Sequence, residues 1–198
     1  NSLSLVSQNF NHNMENPEFR RDAVRAVDNT VAMMKGLIER LSTLPKGLVI
    51  NKEECNLNAL VRSVIKRIPM DGKEVIISNE IESVFPVLVD KEAMGMVFLN
   101  MFMNAFEAAG ANGRITVSAS KNGDTADITI ADNGAGIPFE FIERDLFKPF
   151  KTTKRNGLGI GLFQCKAIVE AHGGRIAVKS APGQGTTFNI VLPVVKAS

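Results

Sequence analysis

A chain of 198 residues with 44% hydrophobic and 22% charged side chains has a globular composition, which excludes disorder and fibrous repeats and leaves room for one ordinary domain plus a smaller appendage. Its 23 basic and 21 acidic residues nearly cancel to +2, so no charge excess points to nucleic acid as a partner. The longest apolar runs fall far short of the roughly 20 residues that span a bilayer, so a soluble, cytoplasmic chain is expected, reaching a membrane only through segments upstream of Asn1. Residue 1 is Asn rather than Met and no leader pattern follows it, so a fragment of a longer protein is expected. Cys55 and Cys165 have no CxxC partner, and only His12 and His172 stand beside them in the composition. They are expected to pack as small apolar residues in a reducing compartment rather than to hold zinc.

In chain order, Asn16-Pro17-Glu18 signals a helix start, with Asn as N-cap, Pro at the first helical position and an acid in the first turn. Val24, Val27, Val31, Met34, Ile38 and Leu41 then recur at spacings of three and four, a heptad seam. Leu3, Val6 and Phe10 keep that spacing in a shorter stretch, and the polar residues 11–16 turn the chain back, so residues 1–45 read as a helical hairpin. A hairpin this small leaves its apolar face open. It buries that face either against a second copy, forming a homodimeric four-helix bundle, or against the domain that follows.

Pro45 ends the long helix and residues 46–52 form a linker into a domain over 53–198. There the pattern predicts a strand at 53–56, a helix at 57–67, strands at 74–78 and 86–89, and a helix capped by Asp90 and running to about Ala109. Strands at 114–120 and 124–131 flank the hairpin signal Lys121-Asn122-Gly123. A long polar, glycine-containing loop follows, then a helix from about 159 to 171 closed by His172-Gly173-Gly174, where a polar or cationic side chain suits the helix end. Two last strands at 175–180 and 186–192 flank Pro182-Gly183-Gln184-Gly185. Strands that cluster in antiparallel pairs predict a two-layer α/β sandwich, a mixed sheet with helices on one face.

Three segments carry chemistry. Asn100 and Asn104 stand at i and i+4 in an apolar helix, with Glu107 on the same stripe. Buried unpaired amides cost about 1 to 3 kcal/mol each, so the pair either faces solvent or lines a hydrated or liganded cavity, where an amide oxygen is a hard ligand for Mg²⁺. Asp132-Asn-Gly-Ala-Gly136 sits at a strand end, where the carboxylate either closes a tight Asx turn or accepts the amine of a flat base that the glycines let approach. Gly157-Leu-Gly-Ile-Gly161 opens an apolar helix without the Lys-Ser/Thr of a Walker loop, so its free N–H groups suit phosphate. The basic loop before it, with Lys148, Lys151, Thr152, Thr153, Lys154 and Arg155, is either a solvated surface or part of that phosphate site.

Asn100-Met-Phe-Met-Asn-Ala-Phe-Glu107, DNGAGIP at 132–138, FKPFKTTK at 147–154, GLGIGL at 157–162 and GQGTTF at 183–188 resemble, in this order, the N box, first glycine box, F box, second glycine box and closing box of sensor histidine kinases. These belong to the GHKL ATPases with the Bergerat fold, and the resemblance covers residues 53–193. The hairpin is similar to that family's dimerisation and phosphotransfer domain, and its wording resembles sensor kinases accompanying PEP-CTERM exopolysaccharide systems. The resemblance implies ATP and Mg²⁺ as ligands, a metal contact from Asn104, and a phosphate contact or metal-orienting role for Asn100. It implies adenine recognition by Asp132, a base lining from Gly134, Gly136 and Ile137, and closure of that pocket by Thr186. Phe147 and Phe150 would anchor a mobile lid over about 139–156, and Gly157, Gly159 and Gly161 would cradle phosphates. Further nucleotide contacts are implied from Thr152, Thr153, Leu158 and Leu162, and catalytic roles for Asn100, Lys151 and Arg155. Glu107 stands where many members carry a basic or other polar residue, so no γ-phosphate contact is assigned to it.

The family's acceptor histidine lies in the first hairpin helix, followed by an acid. His12 in Asn-His-Asn-Met lacks that setting and His172 lies far outside it, so the acceptor is expected upstream of Asn1. The expected function is the catalytic core of a two-component kinase, passing the γ-phosphoryl of Mg-ATP to a histidine and thence to a response-regulator receiver domain. The alternative is a nucleotide-binding interaction module that transfers nothing.

Overall fold

The computed structural model describes residues 16–42, 50–69, 75–81, 86–110, 112–154 and 157–195. The chain divides into two compact units, with the boundary between Leu44 and Pro45.

In the first unit, helix α1 spans Pro17–Ser42. Its start follows from the local sequence: the Asn16 side chain accepts the backbone N–H of Glu18 at 2.8 Å and of Phe19 at 3.4 Å, Pro17 has no N–H to leave unpaired, and Glu18 complements the dipole. Val24, Val27 and Val31 of the predicted seam lie exposed along it. The return helix expected from Leu3, Val6 and Phe10, His12 itself, and the side chains of Met34, Ile38 and Leu41 lie outside the described residues.

The second unit is a two-layer α/β sandwich. Its elements are β1 (Glu53–Asn56), α2 (Leu57–Ile65), β2 (Val75–Asn79), β3 (Pro86–Val89), α3 (Lys91–Ala108), β4 (Gly113–Asn122), β5 (Thr125–Asp132), α4 (Phe139–Arg144), α5 (Gly161–Ala171), β6 (Arg175–Ser180) and β7 (Thr186–Pro193). Five strands form a mixed sheet in the order β2-β4-β5-β7-β6, with β2 parallel to β4 and the other pairs antiparallel. β1 and β3 make a separate antiparallel ribbon, joined to the end of β7 through a Val87–Val194 bridge.

Strand periodicity decides which face is covered. Ile115 and Val117 of β4, Ala126, Ile128 and Ile130 of β5, and Phe188, Ile190 and Leu192 of β7 are buried on one face. Thr116, Ser118, Thr129 and Asn189 occupy the opposite face, where Asn189 Nδ2 reaches Thr129 Oγ1 across the ladder at 3.5 Å. Helix α3 lies over the apolar face, flanked by α2 and α5, and buries Met94, Val97, Phe98, Met101 and Phe102. Asp90 caps it by accepting the N–H of Ala93 at 2.9 Å. The hairpin between β4 and β5 turns one residue later than its sequence signal, on Gly123-Asp124. Gly123 takes φ +59 in the first central position, as a two-residue turn twisted with its strands requires.

His172 caps the C-terminal end of α5, the helix-end position expected of it, and also reaches a second helix. It is buried, at 1% exposure, and both ring nitrogens are engaged: Nε2 accepts the N–H of Asp90 at 2.9 Å, and Nδ1 lies 2.7 Å from the Ile168 carbonyl. Those two bonds assign the proton to Nδ1 and pin the end of α5 to the start of α3. Cys55 and Cys165 are free and buried, and burial pushes the Cys165 thiol up to about 12, so both pack as apolar residues.

Candidate functional site

The candidate site is organised along the C-terminal half of α3. At one end, Gly134 lies so close to the helix that a Cβ would come within 2.6 Å of the Ala108 carbonyl carbon, and the Ala135 N–H bonds to that carbonyl at 3.1 Å. At the other end, a Cβ on Gly161 would meet Asn100 Oδ1 at 2.9 Å. The nine residues from Asn100 to Ala108 rise about 12 Å along the helix, long enough to run beside an extended polyphosphorylated ligand.

Asp132 closes β5, the central strand, and shares the helix-covered face with Ile128 and Ile130. Its carboxylate accepts the N–H of Gly134 at 2.8 Å, the Asx turn anticipated for this segment. Burial pushes its carboxyl above the ordinary carboxylate range, and backbone N–H groups of Gly134 and Thr186 pull it partly back. Asn133 staples the turn from outside, accepting the Arg114 N–H at 2.8 Å and donating to the Asn112 carbonyl at 3.2 Å.

The far wall of this corner is a hydroxyl cluster with no signature in the sequence. Ser180 Oγ accepts the Ile137 N–H at 2.8 Å, donates to the Gly185 carbonyl at 2.7 Å, and meets Thr186 Oγ1 at 3.0 Å. A hydroxyl has one proton, so Thr186 is the donor in that last pair. Ser180 thereby ties the first glycine turn to the closing Gly-Thr turn. Only a pairwise packing view could have found it, because a Ser at a strand end is unremarkable by itself. Gly136 at φ +71 and Gly185 at φ +78 complete the corner, with Cβ positions that would overlap the Ala181 and Asp132 carbonyl oxygens.

At the other end of α3, helix α5 begins at Gly161 with no side chain capping it, which leaves its first N–H groups available to an anion. Gly159 accepts the Phe150 N–H at 2.9 Å and takes φ +66. Leu158, Gly157 and Leu162 are half-buried beside it. Asn100 turns its amide back onto its own helix, donating to the Met96 carbonyl at 3.1 Å. Asn104 Oδ1 accepts from Lys154 Nζ at 2.6 Å, and the same ammonium pairs with Glu107 Oε2 at 2.6 Å. These are the polar stripe's partners; sequence placed Glu107 on the stripe and Lys154 in the basic loop but assigned neither a ligand contact nor a bond to the other.

In the segment between, the structure adds the short helix α4, read from sequence as loop. Phe147 packs half-buried on the core with Lys166 Nζ 5.6 Å from its ring centroid. Phe150 is 61% exposed at φ +63, so its anchoring runs through the backbone bond to Gly159 rather than through its ring. Lys151 Nζ stands 3.8 Å from Asp145 Oδ1, directed at that carboxylate; Thr152 Oγ1 accepts the Lys154 N–H at 3.0 Å, and Thr153 is exposed. Arg155 lies outside the described residues.

An acid at a central strand end, backbone that only glycine allows on both sides of it, and an uncapped helix start about half of α3 away define a nucleotide-binding α/β sandwich. Residues 89–196 match the family model "Histidine kinase-, DNA gyrase B-, and HSP90-like ATPase", and the chain belongs to that family. It is 35% identical over 167 residues to the sensor histidine kinase ZraS of Salmonella typhi, covering 80% of this chain and 35% of that protein. It is 34% identical over 202 residues to the alginate biosynthesis sensor protein KinB of Pseudomonas aeruginosa, covering 98% of this chain and 33% of that protein. Among solved structures, the catalytic domain of histidine kinase ThkA superposes with a TM-score of 0.65 at 31% identity, covering 72% of this chain and 95% of that one. The second unit is thus an ATPase catalytic domain of the sensor histidine kinase type, and the chain spans about a third of the curated relatives' length.

Proposed function

We propose that the domain holds Mg-ATP along α3 and presents its γ-phosphoryl for transfer to a histidine, from which it passes to an aspartate of a response-regulator receiver domain. What carries this reading is the arrangement along one helix: the Asp132 corner against Ala108 and the uncapped α5 start against Asn100. Asp132 accepts the adenine amine, Gly134, Gly136 and Ile137 line the base, and Thr186 closes the pocket from β7. Gly157, Gly159 and Gly161 with Leu158 and Leu162 hold the phosphates through backbone N–H groups, assisted by Thr152, Thr153, Lys151 and Arg155. Asn100 orients the phosphate end, which makes the domain's contribution chiefly one of positioning and charge placement.

The donor chemistry fits a magnesium ion. Asn104 Oδ1 already carries a cation, the Lys154 ammonium, and Glu107 adds negative charge beside it. Among the described residues no group of three or more His, Cys, Asp or Glu side chains could hold a metal, so Asn104, waters and phosphate oxygens would supply the ligands. When bound, the metal neutralises developing charge on the phosphates.

ATP binding by this chain is expected to be saturable and Mg²⁺-dependent in isothermal titration. Asn104→Asp, which turns a neutral ligand into a charged one, should shift the Mg²⁺ concentration at half-saturation by at least about threefold. Neither histidine here is the proposed acceptor, since His172 has both ring nitrogens engaged and His12 lacks an acidic neighbour. Label from γ-³²P-ATP appearing on His12 would overturn that assignment, and absence of ATP binding would overturn the function.

Residues 1–45 are proposed as part of the dimerisation and phosphotransfer hairpin, 46–52 as linker, and 53–198 as the catalytic domain, in a cytoplasmic setting. The exposed Val24, Val27 and Val31 support a second copy on that face. Light scattering at micromolar concentration should therefore return twice the chain mass, and a monomer mass would remove the dimer. Sensor kinases pair with response regulators, as ThkA does with TrrA in a solved complex.

A further inference from the structure

We propose that Lys154 and Glu107 form a latch in which the lysine ammonium stands in for the divalent metal on Asn104, so that metal binding and release of this segment are one exchange. The proposal rests on the pocket being the Mg-ATP site.

Lys154 lies 50 residues from Asn104 and 47 from Glu107 in sequence, yet its Nζ is 2.6 Å from Oδ1 of the first and 2.6 Å from Oε2 of the second. The two acceptors stand three residues apart on α3, one turn of a single face, and so present a neutral and a negative oxygen to one cation. An ammonium has three N–H donors, and this pair uses two. The main chain of Lys154 is held at both ends, its N–H on Thr152 Oγ1 at 3.0 Å and its carbonyl accepting from Gly157 at 3.2 Å. A side chain there would crowd this turn, since a Cβ on Gly157 would sit 2.6 Å from Thr152 Oγ1 and 3.1 Å from Lys154 Cβ and would push the Thr152 hydroxyl off the Lys154 N–H. The latch therefore depends on the same glycine-rich run that leads into α5.

A metal about 2.1 Å from Asn104 Oδ1 would lie no more than about 5 Å from an ammonium on the same oxygen. At that separation, with no water between, the two cations repel strongly, and the divalent charge doubles the effect. The site holds one or the other. Arrival of the metal displaces Lys154, and the phosphates that come with it offer the freed ammonium new oxygens a few residues from the α5 start. The cleft keeps a cation on Asn104 in both states. Glu107 touches neither ligand in this scheme and is a positioning residue, setting how firmly the lysine competes.

Lys154 and Glu107 are 42% and 51% exposed at their side chains, so the pair is solvent-screened and the expected effects are moderate. Glu107→Ala, at an exposed position, should leave the fold intact. In the nucleotide-free chain it should speed acylation of Lys154 by a water-soluble active ester about three- to fivefold relative to the exposed Lys121, read by peptide mass spectrometry. The same variant should lower the Mg²⁺ concentration giving half-maximal ATP binding by a similar factor, and Glu107→Gln, which loses the charge and keeps the shape, should do both to a smaller extent. An unchanged labelling rate overturns the latch whether or not ATP binds. A raised or unchanged Mg²⁺ midpoint overturns the competition, a raised one assigning Glu107 to the metal itself. A wild-type chain that binds no ATP while Glu107→Ala still speeds labelling overturns the pocket, and with it the exchange, but not the Lys154–Glu107 contact.

Discussion

Asp132→Asn is expected to lower ATP affinity between about ten- and a hundredfold while leaving thermal stability at neutral pH unchanged or raised. The affinity loss follows from replacing the proposed charged acceptor of the adenine amine, where hydrogen bonds to charged groups are worth about 1.5 to 3 kcal/mol. The stability result follows from the direction of the Asp132 shift. Burial raises its folded pKa above the unfolded value, so the stability it contributes is present below the unfolded pKa and is lost as pH rises through the folded pKa. At neutral pH the ionised carboxylate is therefore a cost that Asn removes, and the gap between variant and wild type should narrow as the pH falls into the carboxylate range. Isothermal titration and melting curves between pH 4 and 8, as an approximate window, check both halves. A variant that loses stability and affinity together would show that Asp132 holds the corner rather than reading a ligand.

Gly185→Ala should be among the most destabilising single changes in the domain. Its φ of +78 is already costly for an L side chain, and its Cβ would overlap the Asp132 carbonyl oxygen, a backbone atom fixed in the central ladder. The expected cost is about 3 kcal/mol or more, a fall in melting temperature of roughly 10 °C for a domain of this size, with ATP binding lost because Asp132 and Thr186 sit on either side of the displaced turn. Gly183→Ala is the matched control. Its φ is +75 but nothing lies within 4 Å of its Cβ, so it meets the conformational cost alone, about 1 kcal/mol. Equal melting temperatures for the two variants would refute the close approach.

Much of this was legible beforehand because the determinants are local. The Asn16 cap, the Asp90 cap and the alternation along β5 and β7 each rest on neighbours a few residues apart, and these elements formed at those positions. Helix α4 escaped because six residues following a proline make fewer than two turns, too short a stretch for a periodic pattern to show. The β4–β5 turn slipped by one residue because Gly123 could serve either as last or as first loop position, and strand register made the choice.

The sequence patterning by itself determined a two-layer α/β sandwich, since that depends on helix and strand periodicity, and the resemblance of its motifs, in their order, to the sensor-kinase boxes singled out Asp132, Asn104 and the glycines as positions worth testing. Only the tertiary structure decided that His172 is buried with both ring nitrogens bonded between α3 and α5, that Ser180 joins the two glycine turns, and that Lys154 spans to Asn104 and Glu107. Each of these bonds joins residues that chain proximity does not pair, or a side chain whose neighbours in sequence say nothing of its partner. Hydrogen-bond distance is reached there only after sheet order and helix packing have brought the segments together.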